Sequence, residues 1–266
     1  MKNKLNLIAI ALFCIGAISF VNKQESLSEL ANNSYKVIRV NGKIVFVKTK
    51  SSMKQGDLYV SGTPINFGTN QSRAAIINKL KGRCILSPSK KNKAIVLPAT
   101  NNIASRSGAL INKIDLQNHF SGNYLVIGKM MLEISEKAYP QDSKNFFYLA
   151  YNYKGEKIRK KLPYSGNKII LEQSEIFKVD GKSIPVQKIE MSLYYMDGKS
   201  GDKLANFTPV FPDLNGLKSE VQIILAESGD KSKDSKLKEV TAYLNEFYGK
   251  PQKDNLQGWM NANFEL

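Results

Sequence analysis

The chain has 266 residues, with 39 Lys and Arg against 23 Asp and Glu, one His and two Cys, giving a formal net charge of +16. Hydrophobic residues make up 42% of it, enough for a packed core, which excludes a disordered or collagen-like chain. Two Cys cannot build a disulfide scaffold, and a single His with no Cys pair at metal spacing argues against an ordinary transition-metal centre, so no cofactor is expected.

Met1, Lys2, Asn3 and Lys4 lead into an apolar run from Leu5 to Val21. A short basic head before such a segment predicts a secretory signal peptide over 1–19, with Ala17 and Ser19 at the minus-three and minus-one positions of a cut before Phe20. The alternative is an uncleaved inner-membrane anchor over 5–21, since the run approaches the length that spans a bilayer. Phe13 immediately before Cys14 argues against lipid attachment at that Cys. Cys84, in Arg83-Cys84-Ile85-Leu86, reads as a small buried hydrophobe inside a strand. The expected location is the periplasm or cell envelope.

Residues 20–34 read as a polar tether. Tyr35 to Val40 and Lys43 to Val47 are rich in β-branched and aromatic residues, and Asn41-Gly42 between them predicts a hairpin with a type I′ turn. Strands are expected over 58–60, 65–67, 74–77 and 83–86, with Lys81-Gly82 joining the last two. Short strands at this spacing indicate an all-β module rather than βαβ units. The stretch 87–120 has little period apart from a strand over 94–97, and 124–127 with 131–134 read as another pair of strands around Gly128-Lys129.

From Asn145 a second β series begins. Phe146 to Tyr153 turns at Lys154-Gly155 into Lys157 to Leu162, strands follow at 169–171, 176–179 and 189–196, and Pro209 makes 207–211 an edge or irregular strand. The expectation is an immunoglobulin-like β-sandwich over 139–213, preceded by a β-module over 35–138. The period then changes to helical. Leu217, Val221, Ile224 and Leu225 share one face, and Leu237, Val240, Leu244 and Phe247 another, with Asp234 or Ser235 as a cap and Gly249 and Pro251 as the stop. Asp254 is expected to cap a short last turn, and Trp259 reads as a core anchor. Residues 214–266 therefore form a C-terminal helical segment, and the fold class is mainly β with helices at the end.

Only five of the 39 basic residues are Arg, which disfavours specific nucleic-acid readout, since bidentate recognition prefers Arg. The densest basic clusters are Lys90, Lys91 and Lys93, and Lys157, Arg159 and Lys161 with Lys160 between them. Alternation on a strand puts Lys157, Arg159 and Lys161 on one face. Both clusters are candidate anion-binding residues, and the second also reads as a charged edge that discourages strand pairing.

No catalytic constellation stands out. Cys84, His119 and Asp115 can be written as a triad, but no local motif supports it. Ser87-Pro88-Ser89-Lys90, Ser165-Gly166-Asn167 and Lys199-Ser200-Gly201 match the order of penicillin-binding motifs, yet Pro88 and the strand context conflict with the helix that the Ser and Lys require. Phosphate-loop, dinucleotide and calcium-loop patterns are absent from the sequence. Paired carboxylates leave no local signature.

Four stretches, Val37 to Ile44, Met53-Lys54-Gln55-Gly56-Asp57, Ser72 to Ile76 and Gly82 to Pro88, together resemble the FecR-type periplasmic β-module, in which an opening V-x-G strand pair precedes an L-x-x-G-D turn and a small-residue strand. The resemblance implies a β-rich envelope domain that binds a ligand or partner. From about Asn145 the chain is similar to parts of uncharacterised exported bacterial proteins. The expected function is a non-enzymatic exported envelope protein that binds or assembles with another envelope protein. A basic protein gripping an anionic cell-wall polymer or lipid is the alternative, and a hydrolase with dispersed carboxylates the second.

Overall fold

The computed structural model describes residues 32–89, 94–99 and 110–265. The expected export segment 1–19, Cys14, most of the tether and the cluster Lys90, Lys91 and Lys93 lie outside the described residues. Among the described residues no helix is long and apolar enough to cross a membrane. The protein is mainly β with a helical C-terminal segment, and it divides into two compact units, 1–99 with Glu220–Asp230, and 100–219 with Lys231–Leu266.

The first unit is built on a sheet of order β3-β1-β5-β6-β7, comprising β1 (Ser34–Asn41), β3 (Leu58–Val60), β5 (Arg73–Asn78), β6 (Gly82–Pro88) and β7 (Ala94–Pro98), every neighbouring pair antiparallel. β2 (Ile44–Phe46) and β4 (Ile65–Phe67) form a separate ribbon. Ile44 and Ile65 of this ribbon share one core with Val37, Ala74, Ile76, Cys84 and Leu86, so apolar side chains from the sheet and the ribbon close over each other. Ile38, Ala75 and Ile77 alternate with those residues and are also buried. The unit takes in Glu220–Asp230, whose Val221 and Ile224 are buried, and Arg39 Nη1 lies 2.8 Å from Glu220 Oε1.

The hairpin expected at Asn41-Gly42 does not form. Gly42 has the positive φ of +79° that the turn signal anticipates, but β1 pairs with β3 and β5, and the turn hands the chain to the ribbon instead. A Cβ at Gly42 would come within 2.6 Å of Ser72 Oγ, so this close approach as well as the torsion requires glycine.

The second unit joins two sheets over one core. The larger has the order β11-β10-β16-β17-β8-β18, from β8 (Asn123–Leu125), β10 (Asn145–Tyr153), β11 (Glu156–Lys161), β16 (Met191–Asp197), β17 (Gly201–Val210) and β18 (Lys250–Pro251). The smaller is β12-β13-β9, from β9 (Lys129–Glu133), β12 (Tyr164–Ser165) and β13 (Lys168–Glu172). Phe147, Leu149, Tyr151, Leu193, Met191 and Phe207 of the first sheet pack with Met130, Leu132, Ile169 and Leu171 of the second. The unit also contains the short helix α1 (Lys113–His119), one turn of helix α2 (Gln173–Ile176) and a small hairpin, β14 (Lys178–Val179) with β15 (Lys182–Ser183), and Leu116 and Ile176 of the two helices join its core. The expected division at 138/139 falls instead at 99/100, because β9 pairs along its whole length with β13 and so draws the preceding residues into the second unit. For the same reason β8 and β9 are not a pair. β8 lies parallel to both β17 and β18, a departure from the purely antiparallel immunoglobulin pattern at one end of the sheet.

Pro209 sits inside a ten-residue strand that is not at the sheet's edge. Its neighbours bond to β8, with Thr208 donating to Gly122 and Val126 donating to Val210, so the nitrogen of Pro209 faces the opposite side. There β16 has already ended at the Met191–Phe207 pair, and no ladder bond is lost.

The C-terminal helices are α3 (Leu214–Glu227), α4 (Lys233–Phe247) and α5 (Lys253–Asn263). Ser232 caps α4 in place of the expected Asp234 or Ser235, its hydroxyl accepting from the Ser235 N–H. The expected last turn is a three-turn helix capped by Gln252. Trp259 is half-buried rather than a core anchor, and with Met131, Gly128 and Gly258 it lines a shallow groove of about 470 Å³.

Candidate anion-binding face

The six-stranded sheet has one face in the core and one turned away. Because side chains alternate along a strand, Phe147, Leu149 and Tyr151 in the core place Phe146, Tyr148, Ala150 and Asn152 on the other face. On β16 the outward residues are Ser192, Tyr194 and Met196, and on edge strand β11, with Ile158 against the core, they are Lys157, Arg159 and Lys161. A bulge between Leu193 and Tyr194 shifts β17 so that both Leu204 and Ala205 are buried, leaving Lys203 opposite Tyr194 and Asn206 opposite Ser192. At the far end the same face is closed, since Leu125 of β8 is fully buried.

The register assembles these residues into rows across the strands. Lys161 pairs with Tyr148, Tyr148 with Tyr194, and Tyr194 with Lys203. The next row runs Arg159, Ala150, Ser192, Asn206, and the next Lys157, Asn152. Among the described residues, the outward positions within these four strands thus carry four exposed cations and no carboxylate, and exposed Glu190 precedes β16 at the edge of the face. No ion pair among the described residues engages Lys157, Arg159, Lys161 or Lys203.

Aromatic rings underlie these charges. The rings of Tyr148 and Tyr194 stack with centroids 5.0 Å apart and planes 11° apart, and Phe146 adjoins Tyr148 at 6.2 Å. Lys161 Nζ lies 4.1 Å from the centre of the Phe146 ring, a cation–π contact that holds the ammonium over the sheet. Tyr148 is only 8% exposed. Burial pushes its phenol above the usual tyrosine value, while the Arg159 guanidinium on the neighbouring strand pulls it back. Lys160, on the inward side of the strand, donates to the carbonyl of Lys178 at 2.5 Å and is thereby separated from the stripe.

The sequence pattern located three of these four cations. Lys203 and the three aromatic residues were not singled out, and the signal that could have found them is the Asp197-Gly198 turn, which fixes how β17 lies against β16.

The other sequence candidates are placed as follows. Cys84 is buried in β6 of the first unit, whereas Asp115 and His119 lie on α1 in the second. Asp115 closes the start of α1, where its carboxylate accepts from the Ile111 N–H and its N–H donates to Asn112. His119 Nε2 is 2.5 Å from the hydroxyl of Tyr124, which is itself 3.7 Å from Met130 Sδ. Burial first, and then the charge of Lys250, push the imidazole down to about 4, so it is neutral at physiological pH. Ser87 is on a strand, Ser165 on β12 and Lys199 in the β16–β17 turn, and Lys90 lies outside the described residues. Among the described residues Glu220 is the one carboxylate in the buried class, and it faces Arg39. No three His, Cys, Asp or Glu side chains converge at metal-binding distance among the described residues.

Neither a protein-family model nor a curated protein matches the chain. A crystal structure of the N-terminal four Ig domains of Dscam1 isoform 6.44 is similar at 9% identity with a TM-score of 0.20, the match covering 69% of this chain and 46% of that one. The chain thus spans less than half the length of that structure.

Proposed function

We propose that the protein is a non-enzymatic, exported component of the cell envelope that binds an anionic envelope constituent through the outer face of the β11-β10-β16-β17 sheet. The observation that carries this reading is the charge on that face, where four exposed cations, three of them on alternate positions of one strand, stand with no carboxylate at the outward positions of the four strands. An unneutralised array of this kind raises the local concentration of anions and is weakened by salt. The export segment over 1–19 belongs to the same proposal, as do the periplasmic or envelope location, a FecR-like β-module in the first unit and an immunoglobulin-like sandwich in the second. Paired β5 and β6, which carry the small-residue motif, support the FecR-like assignment, and the two sheets over one core support the sandwich.

Chromatography on a phosphate-bearing cation exchanger tests the site. A variant with Lys157, Arg159 and Lys161 all changed to Ala should elute at clearly lower salt than a control with Lys231, Lys238 and Lys253 changed to Ala, which removes the same charge from exposed positions elsewhere. Equal shifts in the two variants would show that only net charge matters and would overturn the site. Cell fractionation with N-terminal sequencing tests the location, and a cytosolic protein with Met1 intact would overturn it.

A further inference from the structure

We infer that the ligand of this face is a linear acidic polysaccharide that crosses the strands and engages Lys161 and Lys203 at once. The inference rests on the reading of the face as an anion site and commits it to one occupant.

Lys161 and Lys203 stand at the two ends of one cross-strand row, with the stacked pair Tyr148 and Tyr194 between them. Three interstrand gaps separate them, about 14 Å. A polymer with an acidic group at each repeat can reach both, and the second contact then forms at high effective concentration. Apart from Arg159 and Lys157 on β11, the polar side chains of the two adjoining rows, Asn152, Ser192 and Asn206, are neutral. Asn152 and Asn206 are exposed, and the Ser192 hydroxyl donates to Asn206 at 2.8 Å. Carboxamides and a hydroxyl are donors and acceptors for sugar hydroxyls.

Two other anionic partners fit less well. A bilayer is flat, whereas successive strands rotate by roughly 20° each, so over three gaps the cations at the row's ends point in directions some 60° apart. None of the exposed large hydrophobic residues among the described ones lies on this face, so nothing there would enter acyl chains. A single-stranded nucleic acid needs open aromatic faces on which bases stack. Here the Tyr148 ring is sealed at 8% exposure, and the Phe146 ring carries the Lys161 ammonium.

The test is titration calorimetry of the full chain at low salt with four probes: long polygalacturonate, digalacturonate, vesicles of phosphatidylglycerol with phosphatidylcholine, and an oligothymidylate. The wild type should bind the long polyuronate at least tenfold more tightly per site than the disaccharide, which is too short to reach both lysines. Lys161→Ala and Lys203→Ala should each collapse that preference to within about twofold, while Lys203→Ala leaves the thermal midpoint unchanged and Lys161→Ala lowers it by at most a few degrees for its lost cation–π contact. A Lys203→Ala protein that keeps the full length preference would overturn the crossing geometry. Vesicles or oligothymidylate bound more tightly than polyuronate, with the binding lost in the Lys157, Arg159 and Lys161 triple variant, would overturn the polysaccharide while leaving the anion site standing. No probe responding to that triple variant would overturn both.

Discussion

Tyr148 and Tyr194 face each other across β10 and β16 as a non-edge pair, their rings 5.0 Å apart and 11° from parallel. The pair is flanked on both sides by a lysine in register, Lys161 against Tyr148 and Lys203 against Tyr194. The stack fills the two positions between the cations, and its burial fixes the sheet surface from which they project.

Removing one member should therefore loosen the surface before it disturbs the core. Tyr194→Ala takes away a half-buried ring and exposes Tyr148, with an expected loss of about 1–2 kcal/mol in a urea titration. Tyr194→Phe keeps the stack and should stay within about 0.5 kcal/mol of the wild type. An equal loss in both variants would show that the hydroxyl rather than the ring stack carries the contribution.

Gly249 ends α4 with φ of +126°, and a Cβ there would collide with the backbone carbonyl of Asn123. The next two residues, Lys250 and Pro251, form β18 and pair in parallel with Tyr124 and Leu125. Backbone cannot yield as a side chain can, so Gly249→Ala must either strain the torsion or push β18 away from β8. The expected loss is at least about 2 kcal/mol in the same titration, together with faster exchange of the Lys250 amide, the one amide hydrogen of β18.

Asn255 ties α5 to the turn after β8. Its side chain accepts from the Ile127 N–H at 3.2 Å and donates to the carbonyls of Ile127 at 3.0 Å and Lys129 at 3.4 Å. Ile127 is 2% exposed, so water does not readily replace those bonds. Asn255→Ala should cost about 2 kcal/mol. Trp259, one turn further along α5, is the chain's single tryptophan, and its emission should shift to the red as the helix end loosens. Unchanged emission with lowered stability would place the effect in the turn alone.

Local turn signals were the legible part of this fold. Lys154-Gly155 closes β10 onto β11, Asp197-Gly198 closes β16 onto β17, and Lys81-Gly82 closes β5 onto β6, each joining strands adjacent in sequence. Asn41-Gly42 carries the same signal, yet a turn dictates only the local path of the chain. Which strand receives β1's hydrogen bonds is decided by burial, and there the apolar runs of β3 and β5 won. The pairing of β9 with β13 joins residues far apart in sequence, so alternation could identify both strands without matching them. At the site, alternation was sufficient for Lys157, Arg159 and Lys161 because they share a strand. Lys203 lies between the Asp197-Gly198 turn and the bulge, so the turn sets its register, whereas alternation read back from Phe207 and Ala205 across the bulge points it to the wrong face. The seven-residue α1 is too short to show a helical period, and so the packing of His119 was hidden as well.

That packing makes stability depend on pH. The imidazole of His119 lies against the buried Tyr124 hydroxyl, and its value in the folded protein, about 4, is below the ordinary 6.5 because burial and then Lys250 disfavour the charged ring. Between those two values the unfolded chain binds a proton that the folded chain does not, so acid favours unfolding. The contribution of this residue is fully present above pH 6.5, is lost progressively as the pH falls toward about 4, and does not change further below that. The whole span corresponds to about 3 kcal/mol. Urea titrations from pH 7 to pH 4 should therefore show stability falling, with the slope much reduced in His119→Gln, which cannot take up the proton. Lys250→Met should flatten part of the slope from the other side, by removing the charge that repels the proton while keeping an apolar stem of similar length. If the His119→Gln protein shows the full wild-type slope, carboxylates elsewhere account for the acid sensitivity, and the buried imidazole does not.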